Sequence, residues 1–252
     1  MPGPPTTSVW DDNLLANPHT VADKRGRVQQ MFAAIAPSYD LNNRLHSLWR
    51  DQAWRRAAVR MADVKPTDQV VDVACGTGDL ALAFAEKLSN PRQVIGIDFT
   101  YEMLPLARQK ARDRKILWIN GDAQALPLED SSCDVLSIAF GIRNVADPAA
   151  AMQEFHRVLR PEGRLIILEF SLPTNPILRH GYNLYFRHIL PRTATWISGD
   201  RTGAYKYLPQ SVNTFINPQI MSEMMAANGF SDIVQKPLTF GISVCYRGRK
   251  HG

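Results

Sequence analysis

Between residues 69 and 169 the chain repeats one pattern: a short apolar run, a turn, then an amphipathic stretch of helical length. The apolar runs are QVVDVA (69–74), QVIGID (93–98), ILWING (116–121), CDVLSIAF (133–140) and GRLIILE (163–169). Runs this short, bounded by turn residues, read as strands buried on both faces. Helical stretches are expected from the GTGD turn to about residue 88, over 102–112 and over 149–159. Strands alternating with helices at this spacing predict a parallel sheet with helices on both faces and right-handed crossovers. Two last strands are expected at 232–236 and 242–246. The fold class is therefore α/β, doubly wound, on a mostly parallel seven-stranded sheet.

The flanks differ in texture. Residues 1–23 open Pro-rich and polar and are expected to form a loose tail. Apolar residues at 28, 31, 32 and 35 predict a helix over 24–36, stopped by Pro37 because a residue preceding proline avoids the α region. A second helix is expected over 42–61, so 24–62 forms a helical arm. After Glu169 the strand pattern breaks, and 171–213, rich in aromatics, Arg and Pro, reads as a helical insertion on the substrate side. A further helix over 218–228 would close at Gly229. Residues 24–252 are read as a single domain, and 45% hydrophobic content suffices for its core.

No apolar run is long enough to cross a bilayer, and no basic segment followed by an apolar one marks a secretory leader. The three cysteines, Cys75, Cys133 and Cys245, lie in or beside expected strands without CxxC spacing, so buried free thiols and a reducing, cytoplasmic compartment are expected. His46, His156, His180 and His188 lack metal-ligand spacing, and no metal is expected. The net charge of +5 gathers at 24–60 and 247–250, which suits an anionic surface but reads first as solvated, with no nucleic-acid partner.

The chemistry gathers at Asp72-Val73-Ala74-Cys75-Gly76-Thr77-Gly78-Asp79, between a strand and a helix. Gly76 and Gly78 allow a tight turn and close approach of backbone to a ligand. Asp98 ends the second strand and can accept hydrogen bonds from two ribose hydroxyls. Gly121-Asp122-Ala123 ends the third, where a carboxylate can approach an adenine amine. This much suits dinucleotide and S-adenosylmethionine binders alike, and Gly76-x-Gly78-x-x-Ala81 satisfies a relaxed dinucleotide fingerprint. Asp79, in the first helix turn, favours the second reading, because a carboxylate there repels a pyrophosphate and tolerates a zwitterionic methionine.

These residues resemble the class I S-adenosylmethionine methyltransferases and, more narrowly, the ubiquinone/menaquinone C-methyltransferase family, over about residues 25–250. The closer resemblance is carried by VDVACGTGDL, FGIRNV (140–145), RVLRPEG (157–163) running on to LEFS (168–171), YKYLPQS (205–211) and YRG (246–248). Departures fall at Asn42, Asp51, Ala139, Arg160 and Glu162. The resemblance implies a Rossmann-like methyltransferase fold and S-adenosyl-L-methionine as cofactor, held by Thr77, Asp98, Asp122 and Ala123, with Asp72, Gly76 and Gly78 beside them on physical grounds. It implies methyl transfer to a ring carbon of a prenylated quinol. Another small-molecule methyltransferase, a nicotinamide-dependent oxidoreductase and a non-catalytic binding module stay open as alternatives.

A quinol carbon is a weak nucleophile until a neighbouring hydroxyl, with a pKa near 10, loses its proton. Arg143 and Asn144 follow the fourth strand and are expected to face the transferred methyl, Arg143 stabilising a phenolate and Asn144 orienting a ring oxygen. Tyr39 is expected to close the pocket. The stretch holding Tyr182, Tyr185, Phe186, Ile189 and Leu190 with Arg179, Arg187 and Arg192 would either rest on a membrane surface or pack on the core. A homodimer is compatible with the resemblance.

Overall fold

The computed structural model describes residues 9–251. Seven strands form one sheet: β1 (Val70–Val73), β2 (Val94–Asp98), β3 (Leu117–Asn120), β4 (Cys133–Ala139), β5 (Leu159–Phe170), β6 (Phe230–Leu238) and β7 (Ser243–Lys250). Their order is β3-β2-β1-β4-β5-β7-β6. The first five strands run parallel, and β7 is antiparallel to both β5 and β6. This is the doubly wound, mostly parallel sheet expected. β7 is longer than the apolar pattern alone marks, because its antiparallel pairing with β5 carries the ladder into polar residues such as Arg247 and Arg249, and β5 starts earlier than expected, where Leu159 pairs with Cys133 of β4.

Ten α-helices accompany the strands among the described residues. One sheet face packs against α3 (Arg50–Ala62), α4 (Asp79–Ala85) and α5 (Met103–Ala111) through Trp54, Phe84 and Leu104. The other packs against α6 (Pro148–Val158) and α10 (Pro218–Ala227) through Met152, Phe155 and Met225. Full burial of each such side chain contributes about 1.5–3 kcal/mol, so the two layers are the main source of stability. Gly229, at φ +87, ends α10 as expected. Cys75, Cys133 and Cys245 are buried free thiols. No helix among the described residues is long and apolar enough to cross a membrane.

A third cluster covers the sheet's carboxyl end. It joins α1 (Lys24–Ile35), α8 (Leu190–Ser198) and α9 (Ala204–Thr214) to the chain's first described residues. Residues 1–8 of the expected loose tail lie outside the described residues, but from Val9 onward the chain is packed. Trp10 is 1% exposed, its ring centre lies 4.5 Å from that of Tyr207 in a tilted pair, and Val9 and Trp10 donate backbone hydrogen bonds to the Thr202 carbonyl. Two buried apolar residues in a polar segment are enough to anchor it.

The arm also departs from expectation. Ala36 keeps α-region angles before Pro37, and the chain tightens into a 3₁₀ turn rather than extending. The helix expected over 42–61 is two helices, α2 (Tyr39–His46) and α3, broken where Leu48 and Trp49 take φ of 49° and 58°. The expected insertion holds α7 (Pro176–Leu184), a π-helical turn (Tyr185–Ile189), α8 and α9.

Candidate active site

The sheet order reverses between β1 and β4, and in such sheets ligands bind beyond the carboxyl ends at that point. The two strands that flank it are each followed at once by a non-glycine residue with left-handed backbone, Ala74 at φ 50° and Phe140 at φ 56°. Such angles cost on the order of 1 kcal/mol each and persist only where the surroundings impose them. Here the Gly141 position faces the Ala74 methyl so closely that an added Cβ would lie 2.6 Å from it.

Two cavities open at this point. The first, about 100 Å³, is lined by Gly76, Asp98, Thr100, Asp122, Ala123 and Asn144 among others. The second, about 410 Å³, is lined by Met31, Ile35, Trp54, Phe170, Tyr182 and Phe186 among others. Phe32, Tyr39 and Phe140 line both, so the cavities share a wall. One chamber is edged by carboxylates; the other is aromatic.

Asp98 is the fixed point of the first cavity. Its carboxylate accepts from the backbone N–H of Gly76 at 2.7 Å and of Thr100 at 2.8 Å. Burial nevertheless pushes its carboxyl up to about 6, against the pull of those two donors. Asp72 lies beneath the loop, where burial raises its carboxyl to about 7 against the Ser137 hydroxyl, which donates to it at 2.7 Å. Its other oxygen, Oδ2, is buried without a hydrogen-bond partner among the described residues. Asp122 pairs with Arg25 of α1 at 2.8 Å, and the Arg25 guanidinium lies 4.5 Å from the Phe99 ring centre.

Thr77, Gly78 and Asp72 do not line the cavity. Gly78, at φ +83, passes so close to Trp118 that a Cβ would sit 2.5 Å from the ring. Thr77 donates to Asp40 at 2.6 Å and accepts from Lys110 at 2.9 Å. Both belong to a charged network that fastens the arm to the loop. Lys110 also pairs with Asp40 and, at 2.9 Å, with Asp79. Arg44 pairs with Asp79 at 2.7 Å and with Asp51, which Arg55 holds at 2.8 Å. Burial alone would raise the Asp79 carboxyl, but Arg55 and Lys110 hold it down at about 2. Its role as the charge that repels a pyrophosphate is thus corrected: surrounding cations neutralise it.

Arg143 and Asn144 follow β4 as expected, in the 3₁₀ turn Ile142–Asn144. Asn144 reaches the first cavity, donates to the Phe140 carbonyl at 3.2 Å and accepts from the Tyr207 hydroxyl at 2.9 Å. Arg143 lines the second cavity, 4% exposed. Its Nη1 donates to the Glu169 carboxylate at 2.6 Å and the Phe140 carbonyl at 2.7 Å, while Nη2 carries no hydrogen bond among the described residues. The turn is held from below by Lys24, whose ammonium donates to the carbonyls of Arg143 and Val145 at 2.9 and 2.6 Å. Burial and the Arg143 charge lower the Lys24 ammonium to about 8.

Sequence reasoning missed several of these. Glu169 sat at the end of an expected strand, and Phe32 on the apolar stripe of α1, but nothing local said that either would meet Arg143 or Tyr39. The Asn42 Oδ1, His46 Nε2 and Tyr182 hydroxyl are buried without partners among the described residues, in walls of the aromatic chamber. Of the stretch read as either membrane-resting or core-packed, Tyr182, Tyr185, Phe186 and Leu190 line this chamber. Ile189 faces solvent.

The ubiE/COQ5 methyltransferase family model matches residues 19–250. A demethylmenaquinone methyltransferase of Deinococcus radiodurans is 45% identical over 230 residues, covering 90% of this chain and 94% of that one. A ubiquinone/menaquinone biosynthesis C-methyltransferase UbiE of Citrifermentans bemidjiense is 41% identical over 236 residues, covering 92% and 100%. Among solved structures, a SAM-dependent methyltransferase of Thermotoga maritima superposes with a TM-score of 0.60 at 20% identity, over 88% of this chain and 99% of that one. Phosphoethanolamine N-methyltransferase 2 of Haemonchus contortus, solved with S-adenosyl-L-methionine, gives 0.59 at 16% identity, over 79% and 52%. At such identities the likeness is one of fold.

Proposed function

The chain belongs to the ubiE/COQ5 methyltransferase family, and we infer from that membership and its two joined cavities that it is an S-adenosylmethionine-dependent C-methyltransferase acting on a prenylated quinol. The observation that carries this reading is the shared wall of Phe32, Tyr39 and Phe140 between a carboxylate-edged cleft and an aromatic chamber. The name of the Deinococcus relative, a demethylmenaquinone methyltransferase, supports a naphthoquinol ring.

The cleft's residues fit the cofactor. Asp98 presents an oriented carboxylate for ribose hydroxyls and Gly76 keeps the cavity edge free of a side chain, while Asp72, buried beneath the loop, supports it from outside the cavity. When bound, the cofactor supplies an electrophilic methyl on a sulfonium. Asp122 and Ala123 would hold the base, which requires Arg25 to release Asp122. Arg25 is 58% exposed in its side chain, and a pair so exposed contributes at most about 1 kcal/mol, so the release costs little.

On the quinol side, Arg143 lines the chamber, and its Nη2, without a hydrogen bond among the described residues, would serve as the donor to a ring oxygen. Glu169 already balances its charge, so the stabilisation of a phenolate is that of a fixed, desolvated donor rather than of a free cation. Asn144, clamped between Tyr207 and Phe140, orients the ring at the junction. Tyr39 stands in the shared wall and keeps ring and cleft in register, a proximity effect. Turnover of a demethylnaphthoquinol with the cofactor, read by the mass of the product, tests the reading. A product lacking the added methyl on carbon would overturn it.

A further inference from the structure

Lys24 opens α1 and is buried, 3% exposed. Its ammonium meets three uncharged acceptors: the carbonyls of Arg143 and Val145 at 2.9 and 2.6 Å, and His19 Nδ1 at 3.3 Å. An ammonium carries three N–H donors, so all of them are used. Burying a cation without a counter-charge is costly, and an apolar side chain of similar length would pack there at lower cost. What the charge holds is the turn that carries Arg143 and Asn144.

His19 extends that hold. It sits in the 3₁₀ turn Pro18–Thr20, where the Asn17 side chain accepts from its backbone N–H at 3.2 Å, and its ring centre lies 5.2 Å from that of Phe215. A charged Lys24 can only donate to Nδ1, and the Ser211 carbonyl, 2.9 Å from Nε2, can only accept. The ring is therefore neutral with its proton on Nε2, and burial, which lowers it to about 4, agrees. Ser211, 0% exposed on α9, accepts from Arg143 Nε through its hydroxyl at 3.4 Å. The bonds thus close on themselves, from the Arg143 carbonyl to Lys24, to His19, to Ser211 and back to the Arg143 guanidinium.

We propose that Lys24 and His19 are positioning residues for methyl transfer, which through this circuit set both the backbone of Arg143 and the direction of its guanidinium toward the ring oxygen. Glu169 grips the guanidinium at Nη1, and the circuit adds a second hold at Nε, which fixes its roll. A donor that does not reorganise stabilises a phenolate best, and a misplacement of an ångström is costly in rate. The circuit needs the charged form of Lys24, because a neutral amine has two N–H groups for three acceptors. Lowered to about 8 by burial and by Arg143, Lys24 loses its proton as pH rises through 8. The ionisable groups facing it are His19 and Arg143, the latter paired with Glu169, and α9 reaches it through Ser211 and His19. The inference rests on the quinol reading, in which Arg143 is the donor.

The test is turnover of a short-chain demethylnaphthoquinol in detergent by the full chain and three variants, followed against pH, with S-adenosylmethionine affinity read by calorimetry. Lys24→Met should lower kcat about tenfold, and His19→Phe, which keeps a ring against Phe215, about threefold. In both, KM for the quinol and cofactor affinity should stay within about twofold of the parent, since neither residue touches either ligand. In the parent, kcat should fall as pH rises through about 8. Lys24→Arg, charged at every working pH, should keep more kcat than Lys24→Met and should lack that fall. Parental kcat in Lys24→Met or His19→Phe, a kcat loss matched by an equal loss of cofactor affinity, a Lys24→Arg no better than Lys24→Met, or a fall near pH 8 that persists in Lys24→Arg would each overturn the positioning role. Should Lys24→Met not fold, the pH profiles of the parent and Lys24→Arg decide alone. A parent protein that turns over no quinol at any pH would instead sink the functional reading.

Discussion

Glu169 accepts from the Arg143 guanidinium at 2.6 Å, with side chains only 2% and 5% exposed. The pair joins the end of β5 to the turn after β4. It fixes Arg143 in the chamber wall and leaves its Nη2 without a hydrogen bond among the described residues. Such a pair contributes little net stability, but removing one partner strands the other's charge.

Arg143→Ala should therefore keep cofactor affinity, measured by calorimetry, and lose turnover, while stability drops by about 3–5 kcal/mol as Glu169 is left unpaired. Adding Glu169→Gln should restore much of the stability and none of the turnover. Turnover that returned with stability would show that Arg143 acts only by packing.

Asp98 makes cofactor binding depend on pH. Its carboxyl, raised by burial to about 6, favours the protonated form in the folded protein. Stability from it is present below the ordinary value near 4 and is lost as pH rises toward 6. Ribose hydroxyls donate to the ionised form, so binding runs the other way: the dissociation constant should climb about tenfold per pH unit below 6. In Asp98→Asn that part of the profile should be flat, at weaker affinity throughout. An unchanged pH profile in this variant would remove Asp98 from the site.

Asp79 should carry acid stability. Held at about 2 by its cations, it contributes about 2 kcal/mol that is present above pH 4 and lost as pH falls through 2. Urea unfolding between pH 7 and pH 2 should show this slope in the parent protein and a shallower one in Asp79→Asn. The variant should also be less stable at pH 7, since Arg44 and Lys110 lose their shared partner.

The glycine loop offers an opposed pair. Ala74→Gly relieves a left-handed backbone and should be neutral or stabilising by up to about 1 kcal/mol. Gly78→Ala drives a methyl against Trp118 at φ +83 and should cost about 2–4 kcal/mol. Equal effects in denaturant unfolding would contradict the turn geometry.

The strands, the glycine turn, Asp98 at the end of β2 and the helical character of both flanks were legible in the amino-acid order, because each depends on neighbours within one element: apolar period, turn chemistry, chain direction. The partners of the charges were not. Asp79 looked like a ligand-facing carboxylate until Arg44, Arg55 and Lys110 arrived from three other helices. The charge of Arg143 looked available until Glu169 closed on it. The packed segment from Val9 and the division of the site into cleft and chamber arose the same way. A side chain's charge state and accessibility are set by whatever the fold brings within a few ångströms, and sequence separation does not encode that distance.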